Sequence, residues 1–218
     1  VSVSTGSSSP AKTTTPPSST LLAKTADAGD AYTQKILFLG DSRINGMLYS
    51  RQISSANTFA ENGLSHSVAL NKAIIDLGTG KRLTIPQAVG IRKPDIMLVA
   101  FGINGVAYMG KTGFMKSYEE FIDALLAQSP DSRLIIQSIL PVTKAKSDGD
   151  AIYNNTKISR YNELIEQMCR EKGVTYLHVA DAVGLDNGAL PAGSATDGVH
   201  LNREYCYKWL DCLKTHTK

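Results

Sequence analysis

Four short, predominantly apolar runs constrain the fold of this chain more than any other feature of its sequence. They occupy residues 36–39, 96–101, 134–139 and 174–179, and Gly40 closes the first of them. Runs of this length without polar alternation are typical of strands that are buried on both faces of a sheet. The chain is therefore expected to contain a sheet that other elements cover on both sides.

Segments with the apolar spacing of helices lie between and after these runs. Residues 114–128 carry Phe121 and Leu125 on one side, and residues 155–172 repeat the same kind of pattern. Residues 204–214 form an amphipathic closing segment. Because strands and helices alternate, the sequence predicts an α/β domain with a parallel sheet between two helical layers.

The start of the chain differs in composition from the rest. Ser, Thr, Pro, Ala, Gly and Lys dominate residues 1–30, which hold few large apolar side chains. Such a segment buries too little apolar surface to offset the entropy lost on ordering. We therefore predict a disordered Ser/Thr/Pro-rich tail or linker over residues 1–30 and one domain over residues 31–218. Such tails are common as stalks of extracellular catalytic domains, and a disordered terminus without a function is the alternative.

Charge and cysteine content exclude several classes of function. Among 218 residues, 23 basic side chains are scattered among 20 acidic ones, so nucleic-acid binding has no compositional support. No apolar run approaches the roughly 20 residues that span a bilayer, and stable membrane insertion is not expected. Cys169, Cys206 and Cys212 form no CxxC pair or His-rich cluster, so no metal and no cofactor is expected. Their disulfide state and the oligomeric state stay open.

Two polar motifs, far apart in the sequence, supply the residue types of a nucleophilic site. A Gly-Asp-Ser motif that ends in Ser42 follows the first apolar run, and a DGVH motif runs from Asp197 to His200. A serine hydroxyl needs a base to take its proton and a carboxylate to orient that base. We therefore interpret Ser42 as the nucleophile, His200 as its base and Asp197 as the residue that orients the imidazole.

Acyl transfer by such a triad also needs donors for a developing oxyanion. A Gly-Ile-Asn-Gly motif at residues 102–105 follows the second apolar run and presents the carboxamide of Asn104. Sites in open parallel sheets form at the carboxyl ends of strands, so this motif is expected beside Ser42. The backbone N–H groups of Ser42 and Gly63 are the other candidate donors, since glycine lets a backbone approach a ligand closely. A Gly-Asp-Ser turn alone is common, and only the joint occurrence of these motifs favours catalysis.

In their order along the chain, these motifs resemble those of the SGNH hydrolases, also called GDSL esterases and lipases. The similarity extends over residues 35–213, and each of four family blocks has a counterpart. It implies a flavodoxin-like three-layer α/β/α sandwich. The roles that it implies are a catalytic triad of Ser42, His200 and Asp197 and an oxyanion hole of Ser42, Gly63 and Asn104.

Two positions depart from the family pattern. Arg43 stands where many members have leucine or isoleucine, a change expected to alter the mouth of the site without touching a catalytic role. Gly105 replaces the usual aspartate of the third block, which is expected to remove a hydrogen bond that fixes the loop. Neither change removes a residue of the triad or of the oxyanion hole.

The resemblance and the tail together predict a serine esterase that hydrolyses short acyl esters, chiefly O-acetyl esters on carbohydrate or cell-wall polymers. Its partner is then a small-molecule or polysaccharide acyl ester. The expected location is extracellular or at the cell surface, with the cytoplasm as the alternative. A lysophospholipase, thioesterase or acyltransferase would use the same triad, although no large apolar lid segment favours lipid. A non-catalytic glycan-binding module on the same fold is the rival from another class.

Overall fold

The computed structural model describes residues 20–218. Its strands are β1 (Ile36–Gly40), β2 (Thr58–Ala60), β3 (Ile75–Asp76), β4 (Arg82–Leu83), β5 (Ile96–Ala100), β6 (Arg133–Gln137) and β7 (Thr175–Leu177). Its helices are α1 (Asp30–Thr33), α2 (Ser42–Tyr49), α3 (His66–Asn71), α4 (Ile85–Arg92), α5 (Ile103–Tyr108), α6 (Lys111–Gln128), α7 (Lys144–Gly149), α8 (Asn155–Lys172) and α9 (Arg203–Lys214). Short 3₁₀ turns occupy Ser55–Asn57 and Val179–Val183.

Five of these strands form one parallel sheet in the order β2-β1-β5-β6-β7, and β3 pairs with β4 in a separate antiparallel hairpin. Numbered by their occurrence along the chain, the five parallel strands have the order 2-1-3-4-5. This is the order of flavodoxin-like folds, in which ligands bind where the direction of strand addition reverses. The reversal lies between β1 and β5, and the predicted flavodoxin-like parallel sheet is confirmed.

Along each central strand, successive side chains point to opposite faces of the sheet. On β1, Leu37 and Leu39 pack in the layer that contains α3, α4, α6 and α8. Ile36 and Phe38 point the other way, into the layer that contains α2 and α9. All four side chains are buried, because a sheet covered by helices on both faces leaves no strand residue in water. The predicted three-layer α/β/α sandwich is therefore confirmed.

The closing helix α9 is fixed to β6 by a buried polar contact. The indole Nε1 of Trp209 donates to Oε1 of Gln137, at 3.0 Å, and both residues are buried. Asn202 caps the helix by accepting from the backbone N–H of Tyr205 at 3.1 Å. Because both contacts fix the start and the middle of α9, they also hold the segment before it, which carries His200.

Residues 20–30, which the sequence assigns to the tail, contact the domain. Backbone bonds link Thr20 and Leu22 to Tyr176 on the edge strand β7, each at 2.8 Å, and the side chain of Leu22 is buried. Farther along, the N–H of Ala28 donates to the carbonyl of Lys214 at 3.0 Å. These bonds pair backbone groups at the edge of the sheet and at the end of α9, so residues 20–30 pack on the domain. The rest of the predicted tail, residues 1–19, lies outside the described residues.

Within the described residues there is no membrane-spanning helix, no candidate metal-binding cluster and no disulfide. No helix within residues 20–218 is long and apolar enough to cross a membrane. The same residues contain no group of three or more His, Cys, Asp or Glu side chains placed to hold a metal ion. The cysteines Cys169, Cys206 and Cys212 are buried and form no disulfide in the described part of the chain.

Candidate active site

The candidate site lies at the carboxyl ends of β1 and β5, which are adjacent in the sheet. Gly40 and Ala100 are paired in register at these ends, so the residues that follow them share one edge. A Cβ atom on Gly40 would overlap the side chain of Ile44 in α2. Glycine therefore lets the chain turn directly from β1 into the helix that begins with Ser42. Asp41 caps this helix by accepting from the N–H of Arg43 at 3.0 Å.

Ser42, His200 and Asp197 form a continuous chain of hydrogen bonds. Ser42 Oγ lies 2.8 Å from Nε2 of His200, and Nδ1 of His200 lies 2.6 Å from Oδ2 of Asp197. With the ring proton on Nδ1, the imidazole donates to the carboxylate and accepts from the serine hydroxyl. The side chains of His200 and Asp197 are 47% and 53% exposed, so both face solvent.

The carboxylate of Asp197 is held in its ionised form. Its Oδ1 accepts from the backbone N–H groups of Val199 at 2.9 Å and His200 at 2.8 Å, while Oδ2 receives the imidazole. Burial raises the pKa of Asp197, but these hydrogen bonds outweigh it and lower the pKa well below its ordinary value. Asp197 therefore keeps its negative charge beside the imidazole at neutral pH.

The loop that carries His200 packs closely on the segment after β6. The N–H of Thr143 donates to the carbonyl of Gly198 at 2.9 Å. Gly198 has a φ of 80°, and a Cβ atom there would lie 2.7 Å from both Thr143 Oγ1 and Lys146 Cβ. Only glycine combines this backbone conformation with so close an approach. The glycine of the DGVH motif thus sets where His200 lies relative to the sheet.

Arg43, which was expected to alter the mouth of the site, is instead buried. Only 6% of the residue is exposed. Its guanidinium donates to the carbonyls of Val199 at 3.1 Å, Leu140 at 2.5 Å and Pro141 at 3.1 Å. Burial lowers the pKa of Arg43 to about 10, with Asp41 and Asp197 opposing the shift, so the group stays charged. Three backbone acceptors and two nearby carboxylates compensate for removing this charge from water.

Asn104 is hydrogen-bonded to Asp41, the residue before Ser42. Nδ2 of Asn104 donates to Oδ2 of Asp41 at 3.2 Å and to the carbonyl of Leu64 at 3.0 Å. Burial raises the pKa of Asp41 to about 6, although Arg43, His200 and Asn104 all act to lower it. Both amide hydrogens of Asn104 thus have acceptors within the protein. An oxyanion that accepts from this carboxamide would therefore share an amide hydrogen with Asp41 or Leu64, or replace one of them as its acceptor.

Gly63 lies in an exposed turn that is attached to the site on both sides. Its φ is 75°, which favours glycine, and a Cβ atom built there would meet nothing within 4 Å. On one side, Asn62 Oδ1 accepts from Nδ2 of Asn45 in α2 at 2.7 Å. On the other, Leu64 provides the carbonyl that Asn104 contacts. The backbone of Gly63 therefore borders open space, while Asn62 and Leu64 on either side of it are hydrogen-bonded to Asn45 and Asn104.

The absence of the family's aspartate at position 105 has a steric explanation. Gly105 is buried, and a Cβ atom there would lie 2.7 Å from Cε1 of His66 and 2.8 Å from Phe114. His66 is itself fixed, with Nε2 2.9 Å from Oγ of Ser117, and its burial lowers its pKa to about 4. The neutral imidazole fills the space into which a side chain at position 105 would project.

The family model of GDSL-like lipases and acylhydrolases matches residues 38–204 of this chain. The chain belongs to the GDSL-like lipase/acylhydrolase family. This confirms the predicted SGNH hydrolase membership and makes the protein a serine hydrolase of a family that cleaves esters. No curated protein sequence matches the chain.

Solved structures similar to this GDSL-like protein agree with its fold. A proposed platelet activating factor from Streptococcus pneumonia is 21% identical, with a TM-score of 0.64, covering 83% of this chain and 82% of that one. A GDSL-like lipase from Bacteroides thetaiotaomicron is 15% identical, with a TM-score of 0.60 and coverages of 85% and 88%. A family 3 carbohydrate esterase from Talaromyces cellulolyticus is 16% identical, with a TM-score of 0.57 and coverages of 82% and 93%.

Sequence reasoning missed two residues that organise this site. Asp41 was read only as part of a turn, yet it receives the carboxamide of Asn104. Arg43 was expected only to alter the mouth of the site, yet it contacts the backbone beside His200. The one available signal was a charged residue in the first turn of a helix whose next residue, Ile44, continues an apolar face. A charge at that place is costly unless buried acceptors surround it.

Proposed function

We propose that this GDSL-like protein is a serine esterase that cleaves short acyl esters through Ser42, His200 and Asp197. The observation that carries the proposal is the chain of two hydrogen bonds, 2.8 Å and 2.6 Å long, that joins the three side chains. In the proposed reaction, Nε2 of His200 takes the proton of Ser42 as Oγ attacks the acyl carbonyl. The imidazolium then gives that proton to the leaving alcohol. Water, deprotonated by the same imidazole, releases the acid from the acyl-enzyme.

The proposed oxyanion hole consists of the N–H groups of Ser42 and Gly63 and the carboxamide of Asn104. Ser42 is the first residue of α2, and N–H groups in a first helical turn have no acceptor within their helix. The positive end of the helix dipole favours negative charge at the same place. For Gly63, the open space around the turn supports access by a substrate oxygen. Asn104 supports the role by its position at the end of the adjacent strand.

For the substrate, we favour O-acetyl esters on carbohydrate or cell-wall polymers. A bulky polymer needs an open site, and the half-exposed side chains of His200 and Asp197 meet that need. The likeness to the solved carbohydrate esterase supports the same choice at the level of fold. The Ser/Thr/Pro-rich composition of residues 1–30 supports a location outside the cell.

The direct test is release of p-nitrophenol from its acetate ester by the purified chain and by Ser42→Ala. A matched control is Ser55→Ala, since Ser55 is exposed in the 3₁₀ turn before β2, at the sheet edge opposite to the one that carries Ser42. We expect Ser42→Ala to fall to the uncatalysed rate while Ser55→Ala keeps full activity. Equal rates in wild type and Ser42→Ala would remove Ser42 from the reaction and favour a binding module.

A second comparison addresses the molecule to which the acyl group is esterified. Acetylated xylan, acetylated peptidoglycan and a lysophospholipid are supplied side by side at equal ester concentration, and free acid is measured. Higher kcat/KM on either acetylated polymer supports the carbohydrate proposal. Higher kcat/KM on the lysophospholipid contradicts it in favour of a lipid-directed enzyme.

A further inference from the structure

The buried guanidinium of Arg43 connects two loops that are distant in sequence. Its Nε donates to the carbonyl of Val199, 156 positions away, and its Nη1 donates to that of Leu140, 97 positions away. Nη2 donates to Pro141 at 3.1 Å, beside Leu140. One planar group thus satisfies acceptors on the loop before α9 and on the segment after β6. Arginine is suited to this because its donors form a rigid fork.

Each end of this connection is adjacent to a residue of the proposed triad. Arg43 directly follows Ser42 in the first turn of α2, and Val199 directly precedes His200. Val199 is buried, and its N–H donates to Asp197 at 2.9 Å, so its peptide groups are held from both sides. The backbone of the nucleophile and the backbone of the base are therefore joined through a single side chain.

Two other sets of contacts hold the His200 loop. Thr143 holds Gly198 from the segment after β6, and Asp197 bonds within its own loop. Arg43 also binds that β6 segment at Leu140 and Pro141. Its side chain thus links α2 directly to the backbone of the His200 loop, beside the 2.8 Å contact of Ser42 with the imidazole.

We propose that Arg43 is a positioning residue, which holds the backbone of Val199 so that the imidazole of His200 stays within reach of Ser42. This rests on the triad proposed above. Arg43 does not touch the substrate, because its guanidinium is buried and bound to three carbonyls. A displacement of about 1 Å at a reacting group can lower the rate by about 10²-fold, so the role is measurable in kcat.

The test uses Arg43→Ala and Arg43→Lys of the full chain, with Arg92→Ala and Arg92→Lys as matched controls. Arg92 is exposed on α4, in the layer on the opposite face of the sheet from α2. A fluorophosphonate that labels active serines counts the competent sites in each sample. The kcat and KM values for p-nitrophenyl acetate are then expressed per labelled site, which removes the contribution of misfolded protein.

We expect Arg43→Ala to lower kcat per site by about 10²-fold with KM changed less than about twofold. Millimolar guanidinium chloride should fill the vacated space and restore at least about tenfold of the loss, whereas sodium chloride at the same concentration should not. Arg43→Lys should retain an intermediate kcat, because an ammonium reaches only part of the fork's acceptors. The Arg92 variants should match wild type.

A kcat per site equal to wild type in Arg43→Ala, or a loss that guanidinium does not relieve, would overturn the positioning role. If Arg43→Ala does not fold, Arg43→Lys decides: reduced kcat per site with unchanged KM supports the role, and unchanged kcat overturns it. Failure of the triad itself is distinguished by Ser42→Ala, which would then retain activity. An inactive Ser42→Ala beside a fully active Arg43 series defeats only the proposal about Arg43.

Discussion

The hydroxyl oxygen of Ser42 lies 2.8 Å from Nε2 of His200, although 158 positions separate the two residues. Ser42 reaches this point because β1 lies beside β5 in the sheet and turns at Gly40 into α2. His200 reaches it because α9, which begins just after it, is fixed to β6 by the bond from Trp209 to Gln137. The contact is thus a product of the whole fold, and it predicts effects at several positions.

Asp197→Asn should lower kcat by about 10³–10⁴-fold while the protein remains folded. The amide keeps the shape of the carboxylate but loses the charge that stabilises the imidazolium and favours the Nδ1 proton. The measurement is kcat for p-nitrophenyl acetate, with Asp148→Asn as control, since Asp148 pairs with Lys144 on the exposed surface. Activity within about threefold of wild type would exclude Asp197 from the role assigned to it.

Asn104→Ala should lower kcat by about 10²–10³-fold and leave KM nearly unchanged, since an oxyanion donor acts mainly in the transition state. Asp41→Asn should have a smaller effect of the same kind, because Asp41 touches Asn104 and not the substrate. Steady-state kinetics of both variants on one ester tests this. An increase in KM at constant kcat for Asn104→Ala would instead assign it to ground-state binding.

Asp41 should make the stability of the protein depend on pH between about 4 and 6. Its pKa in the folded protein is about 6, above the ordinary value of 3.8, because burial favours the protonated form. Its stabilising contribution is therefore full below the ordinary value and is lost as the pH rises through about 6, a change of about 2–3 kcal/mol.

Urea unfolding of wild type and Asp41→Asn across this pH range isolates the effect, since other groups cancel in the difference. The free energy of unfolding of wild type minus that of the variant should fall as the pH rises from about 4 to 6. A difference that stays constant, or that grows with pH, would mean that burial does not hold the proton on Asp41.

Gly105→Ala should destabilise the fold by about 1–3 kcal/mol, because the new methyl group would overlap His66 and Phe114. In a double-mutant cycle, His66→Ala should relieve part of that loss by emptying the space beside position 105. Gly113→Ala is the control: Gly113 is exposed in α6 with nothing within 4 Å, so alanine there should stabilise by about 0.5–1 kcal/mol. Additive losses in the cycle would contradict the steric explanation.

Much of the fold follows from local pattern in the sequence. The apolar runs predicted four of the five sheet strands, and the helical spacing predicted α8 with its observed limits of Asn155 and Lys172. The remaining strand, β2, was not predicted, because only Phe59 of its three residues is buried. An edge strand this short has no periodicity to detect, and its pairing with β1 is a tertiary event.

The residues of the site also fall into two groups, those that a local motif indicates and those whose contacts form only in the tertiary structure. Ser42, Asn104, Asp197 and His200 were named from short motifs, each of which contains a glycine and lies next to a predicted strand or helix. The contacts of Arg43 were not predictable, because its acceptors are backbone carbonyls 97 to 156 positions away. Any residue offers a carbonyl, so no side-chain pattern indicates which one a buried arginine will find.

The central claim, that Ser42 is the nucleophile, is tested most directly by locating the covalent adduct of a fluorophosphonate probe. The wild-type protein is labelled, digested and mapped by mass spectrometry, with Ser42→Ala treated in parallel. The account predicts one modified residue, Ser42, with loss of esterase activity in proportion to labelling, and no labelling or hydrolysis in Ser42→Ala. An adduct on another residue, or ester hydrolysis by Ser42→Ala at the wild-type rate, would contradict it.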